Sequence, residues 1–135
     1  MIPEDLRYSE EHEWVRVEGD VATIGITDFA QDQLGDIVEV ELPKPGSQVK
    51  ATKECGVVES VKTASDIFSP VTGEVVAANT SLQRLVDGKK NPDFAPDRVN
   101  KDPYGQGWLF KVKLTDKVEL DKLLPADKYA SLVTA

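Results

Sequence analysis

Gly56-Val57-Val58-Glu59-Ser60-Val61-Lys62-Thr63-Ala64-Ser65-Asp66-Ile67 is a β-forming run, then a break of small and polar residues, then the start of a second run. It reads as a hairpin, with one strand over Gly56 to Val61, a turn over Lys62 to Asp66 and a return from Ile67. Pro70 and Gly73 punctuate the return before Glu74 to Ala77 resumes as strand, so the hairpin unit spans about 56–77. Lys62 stands in its turn. It is one of twelve lysines, but Ser60, Thr63, Ala64 and Ser65 beside it are small and leave its side chain unobstructed. Acidic Glu59 and Asp66 bracket it, a charge pattern that a modifying enzyme can read. A lysine shown on a rigid β scaffold suits a group that is attached by an amide bond and then visits several partners.

Outward from the hairpin, short strands continue. Glu13 to Val17 and Val21 to Ile26 are β-branched-rich and split by Gly19-Asp20. Asp36 to Leu42 alternates, and Val38, Val40 and Leu42 form the better core face. Pro43-Lys44-Pro45-Gly46 then forces a turn. A last strand runs from Trp108 to Leu114. One short helix is predicted over Asp28 to Leu34, capped by Thr27 or Asp28 and closed by Gly35. A second helical region, Asp116 to Leu132, carries a stripe of Val118, Leu120, Leu123 and Leu124 and is divided by Pro125. The 80–98 segment, with Asp87-Gly88-Lys89-Lys90-Asn91-Pro92 and Ala95-Pro96-Asp97, reads as an extended surface excursion.

The bulk numbers bound the function. At 135 residues the chain is expected to form one domain, 1–135. A net charge of −8 argues against a nucleic-acid partner, and no apolar run reaches membrane-span length. Met1 to Tyr8 is polar and does not read as a signal peptide. One cysteine, Cys55, cannot form an internal disulfide. One histidine and one cysteine are too few for a metal site. Gly105-Gln106-Gly107 precedes a strand and not a helix, so it is no phosphate loop, and no nucleophile–base pair is visible. His12 is read as a packing or hydrogen-bonding residue. The expectation is a carrier, not an enzyme.

Glu59-Ser60-Val61-Lys62-Thr63-Ala64-Ser65-Asp66 resembles the lipoyl-attachment motif of glycine cleavage system H proteins. The resemblance extends in order through Glu11-His12-Glu13-Trp14-Val15, Gly25-Ile26-Thr27-Asp28-Phe29-Ala30-Gln31, Leu34-Gly35-Asp36, Ser69-Pro70-Val71-Thr72-Gly73-Glu74-Val75, Val99-Asn100, Asp102-Pro103-Tyr104-Gly105 and Gly107-Trp108. Biotinyl domains flank their lysine with methionines, and lipoyl domains of 2-oxoacid dehydrogenases usually show an Asp-Lys-Ala turn. Neither pattern is present. The resemblance implies a mainly β fold, a barrel-sandwich hybrid with a short internal helix and C-terminal helices.

It also implies lipoic acid covalently attached at Lys62, with an aminomethyl group passed between a glycine decarboxylase, an aminomethyltransferase and a dihydrolipoyl dehydrogenase. Lipoate ligase, or an octanoyltransferase with lipoyl synthase, would install the arm, with Glu59 in recognition. Glu13 and Asp66 match the family's cleft for the loaded arm. The implied state is a monomer, in the bacterial cytoplasm or in an organelle matrix if the chain is a processed form. Two features depart from the family pattern. The stretch between Asn79 and Val99 looks about ten residues longer than usual, and Cys55 stands where a larger apolar residue is common. Cys55 is then either a packed small hydrophobe or a thiol able to exchange with the arm. These departures keep two other readings open: an H-protein-like lipoate-binding protein that carries sulfur with a heterodisulfide-reductase-like complex, and a lipoyl relay.

Overall fold

The computed structural model describes residues 2–134; the two ends of the expected 1–135 domain, Met1 and Ala135, lie outside them. In chain order the elements are β1 (Arg7–Tyr8), β2 (Glu13–Glu18), β3 (Val21–Ile26), α1 (Asp28–Leu34), β4 (Ile37–Glu41), β5 (Gln48–Val49), β6 (Glu54–Ser60), β7 (Ala64–Phe68), β8 (Gly73–Ala78), β9 (Leu85–Val86), β10 (Lys89–Lys90), α2 (Arg98–Lys101), β11 (Phe110–Leu114) and α3 (Ala126–Thr134). Short 3-10 turns occupy Thr80–Leu82 and Lys117–Lys122. The strands form a six-stranded sheet in the order β1-β2-β3-β11-β8-β5, a three-stranded sheet β4-β6-β7, and a two-stranded ribbon β9-β10, all with antiparallel pairing.

The two larger sheets close over one apolar interior. Val15, Ile24, Val75, Phe110 and Val112 come from the first, and Ile37, Val40, Val58 and Ile67 from the second. Each such side chain taken fully out of water contributes roughly 1.5–3 kcal/mol. β4 departs from simple alternation. The expected inward set was Val38, Val40 and Leu42, yet Ile37 and Val40 are the buried pair and Val38 and Leu42 are only half-buried. A register shift between Ile37 and Glu39 against β6 inserts one extra residue, which turns Ile37 inward.

A second apolar cluster, Leu6, Tyr8, Trp14 and Tyr129, fastens α3 to the sheet. Tyr8 stacks on Tyr129 at 4.7 Å, and Tyr8 exchanges backbone hydrogen bonds with Leu124 at 2.8 and 2.7 Å. Pro125 divides the C-terminal region as its sequence requires, but the first piece is a 3-10 turn and not an α-helix. Val118 is 64% exposed there, so the stripe reduces to Leu120, Leu123 and Leu124. The 80–98 segment is ordered by local chemistry. Asp87 and Gly88, at φ 52° and 77°, make the tight turn between β9 and β10. The Asn91 amide donates to the Thr80 and Gln83 carbonyls, and Arg84 reaches Glu39 at 3.7 Å.

Candidate functional site

β6 and β7 pair from Glu54↔Phe68 to Glu59↔Ala64, and the connection is only Val61, Lys62 and Thr63. The turn is therefore shorter than the sequence suggests. Asp66 is not part of it but lies within β7, exposed and opposite Val57. Ser60 builds the turn. Its hydroxyl donates to the Thr63 carbonyl at 3.1 Å and accepts from the Lys62 and Thr63 amides at 3.3 and 3.1 Å. Its amide donates to the same carbonyl at 2.8 Å. A turn closed this way has few conformations left to lose, so it presents its central side chain in a defined place.

Lys62 is exposed at this tip, and among the described residues it makes no ion pair. Val61 beside it is 69% exposed, although a valine at a strand end would ordinarily be covered. The Lys62 stem does not stand free. A Cβ built on Gly35 would sit 3.1 Å from Lys62 Cε, so the methylenes lie across the residue that ends α1. Gly35 has φ 82°, a left-handed conformation that glycine adopts without penalty. Thr27 caps the other end of α1, its hydroxyl accepting from the Ala30 amide at 3.2 Å. Glu59 is half-buried on β6, paired with Ala64 on one side and Glu39 on the other.

Down the hairpin, roughly 13 Å from the start of β7 at the usual rise per strand residue, a cavity of about 590 Å³ opens. Ser9, Glu13, Thr52, Phe68, Glu119 and Leu123 are among its lining residues. Glu13 is 2% exposed, and burial, the largest influence, pushes its carboxyl up to about 8. The Ser9 hydroxyl donates to one carboxyl oxygen at 2.5 Å and the Phe68 amide approaches the other at 3.4 Å, both opposing that rise; nearby Glu11 adds to it. Glu119 receives the Thr72 amide at 2.9 Å and the Thr72 hydroxyl at 2.7 Å, which ties the 3-10 turn to the cavity wall.

The structure thus brings Glu13, but not Asp66, to the cavity. Asp66 does share the outward face of β7 with Phe68 by strand alternation, so it lies between tip and cavity. Cys55 is half-buried against the main core, and burial, with Glu13 second, pushes its thiol up to about 12. His12 Nδ1 is 2.8 Å from the Tyr129 hydroxyl, which also meets Thr27 Oγ1 at 2.7 Å; burial holds the imidazole below its usual range. It therefore joins α3 to the sheet, in keeping with a packing role. Sequence reasoning missed Ser9 and Glu119. Ser9 lies four residues before Glu13 across a turn, a signal too common to single out, and Glu119 is brought in from 47 residues beyond Thr72.

The family profile described as "Glycine cleavage H-protein" matches residues 6–135. A glycine cleavage system H protein of Marinobacter nauticus is 53% identical over 135 residues, covering 99% of this chain and 96% of the relative. Its counterpart in Alcanivorax borkumensis is 54% identical over 132 residues, covering 98% and 95%. The crystal structure of a glycine cleavage system H protein from Mycobacterium marinum superposes with a TM-score of 0.83 at 38% identity, covering 99% of this chain and 100% of that one.

Proposed function

The chain belongs to the glycine cleavage H-protein family, and from that premise we propose that Lys62 is the lysine that bears its lipoyl arm. The fold is the lipoyl-type barrel sandwich of that family, and the protein is a carrier subunit of the glycine cleavage system. It works with the decarboxylase, the aminomethyltransferase and the dihydrolipoyl dehydrogenase of that system. When attached, the lipoyl group supplies thiol–disulfide chemistry, its cyclic disulfide acting as electron acceptor.

The observation that carries the assignment is the tip itself. Lys62 is the central residue of a three-residue turn, exposed, unpaired among the described residues, and flanked by small side chains. An amine so placed can enter the active site of lipoate ligase, or of an octanoyltransferase acting ahead of lipoyl synthase, without unfolding of the hairpin. Glu59, two strand positions from the turn, is the acidic residue such an enzyme would read. Amide formation removes the lysine charge, and nothing in the hairpin relies on that charge.

The cavity beside Glu13 is the candidate resting place for a cationic group carried on the arm. With no cation beside it, Glu13 holds its proton there at neutral pH; an ammonium beside it would favour the ionised carboxylate, and the pair so formed, away from water, would be stronger than an exposed one. Asp66, exposed on the path from tip to cavity, would be a waypoint and not a wall. The chain is proposed to act in the bacterial cytoplasm; among the described residues no helix is long and apolar enough to cross a membrane. The sulfur-carrying alternative is not favoured: the family profile and the relatives are those of the glycine cleavage system, and Cys55, one of the two departures that prompted it, is a half-buried thiol with little thiolate at neutral pH.

The test is intact mass after expression with a lipoate ligase, followed by peptide mapping. One lipoyl increment on the peptide holding Lys62, absent in Lys62→Ala, is expected. Survival of the increment in Lys62→Ala would overturn the assignment.

A further inference from the structure

The turn that carries Lys62 rests on the two-residue connection between α1 and β4, Gly35 and Asp36, and that connection is held from its far side by one side chain. The Asn100 side-chain oxygen accepts from the Ile37 amide at 2.9 Å. Its amide nitrogen donates to the Gly35 carbonyl at 2.9 Å and to the Gln31 side-chain oxygen at 2.9 Å. Asn100 thereby engages backbone groups on both sides of Asp36, as well as the last turn of α1. The Asp36 carbonyl itself points to the hairpin and accepts from the Val61 amide at 3.0 Å. Gly35 carries the Lys62 stem. The connection is therefore a slab one residue thick, with Asn100 beneath it and the carrier lysine above.

The base under Asn100 is closely packed. α2 is only four residues long, but it packs on the turn that precedes β11. A Cβ on Gly107 would lie 2.6 Å from the Arg98 carbonyl oxygen, so the two backbones touch. The Gly107 amide donates to the Asp102 carbonyl at 2.9 Å, and Val99 is fully buried. Side-chain amides at such a junction bind donor and acceptor at once, which neither a carboxylate nor an apolar residue can do.

We propose that Asn100 is a positioning residue for the carrier lysine: through Gly35, Asp36 and Ile37 it sets where the Lys62 stem leaves the hairpin, and hence the direction from which the arm begins its travel. The proposal rests on the reading of Lys62 as the attachment site. Its role is exercised on the known partners, because an arm that starts from a fixed direction reaches a partner's active site in fewer orientations than one that starts free. Positioning of this kind is worth up to about a hundredfold in rate for a displacement near 1 Å.

The experiment uses the full chain, lipoylated in vitro, as wild type, Asn100→Ala and Gln31→Ala. Lipoylation at Lys62 is scored first by peptide mapping, so that loss of the attachment reading is seen separately from loss of this one. In wild type, ¹³C-edited NMR should show contacts between the Lys62 ε-methylene and the Gly35 α-protons. In Asn100→Ala those contacts should vanish and the ε-methylene become more mobile, while amide shifts of β2, β3 and β11 stay in place. With the aminomethyltransferase, KM for the carrier should stay within twofold and kcat fall roughly tenfold, a split expected where docking is intact and presentation is not. Gln31→Ala removes one of three partners and leaves the Asn100 backbone bonds, so it should give a smaller effect in the same direction; it also serves if Asn100→Ala fails to fold. Contacts and kcat that persist in a folded, Lys62-lipoylated Asn100→Ala would overturn the proposal, as would their persistence in Gln31→Ala if that is the only variant to fold.

Discussion

Glu13 offers a quantitative test of whether the cavity is shielded from water. Its carboxyl titrates near 4.5 when exposed and is pushed up to about 8 in the folded chain, burial being the largest cause. Between those two pH values the folded protein holds a proton that the unfolded chain has released. Stability must therefore fall as pH rises from about 4.5, and the loss is complete once pH passes about 8. At 1.36 kcal/mol per pH unit, a rise from 4.5 to about 8 corresponds to a loss on the order of 5 kcal/mol. Other groups titrate over the same range, so the useful quantity is a difference. Glu13→Gln keeps the shape and can still bond to the Ser9 hydroxyl, but it has no proton to lose. Urea unfolding followed by tryptophan fluorescence, with Trp14 buried as the reporter, should give matching stabilities at pH 4.5. Glu13→Gln should then gain on wild type steadily, by roughly 4–5 kcal/mol at pH 8, and no further above it. A difference that stays flat across this range would mean that Glu13 titrates like an exposed carboxyl and that the cavity does not exclude water.

Two further outcomes test other parts of the reasoning. Cys55, with its thiol pushed up to about 12, should be alkylated by iodoacetamide at pH 8 roughly a hundredfold more slowly in the native chain than in urea; equal rates would restore it as a redox candidate. Gly25→Ala would place a methyl 2.5 Å from the Trp14 ring, so it should cost on the order of 2–3 kcal/mol and lower Tm, with lipoylation of Lys62 unchanged.

Local chemistry made much of this protein legible in its residues. The hairpin around Lys62, the Gly19-Asp20 turn, and α1 with its Thr27 cap and Gly35 stop follow from propensity, β-branching and capping. Each of those signals acts within a few residues and needs no distant partner. Lys62 was readable for the same reason, since exposure at a turn depends on the small residues beside it. Glu59 and the strand identity of its neighbours were equally local.

Tertiary structure alone decided the rest. Whether Ile37 or Val38 faces the core depends on a bulge against β6, which alternation within β4 does not reveal. Asp66 left the cavity because the turn closed three residues earlier than its composition suggested, at Thr63 and not Asp66, once Ser60 had bonded across it. The cavity by Glu13 needs Ser9, Phe68 and Glu119 from three separate stretches. The footing of Lys62 needs Gly35 and, 65 residues beyond it, Asn100. Burial, a raised carboxyl and the direction of a side chain are properties of assembled neighbours. The residue that displays the lysine can be read from the chain, whereas the surface it leans on exists only after the chain has folded.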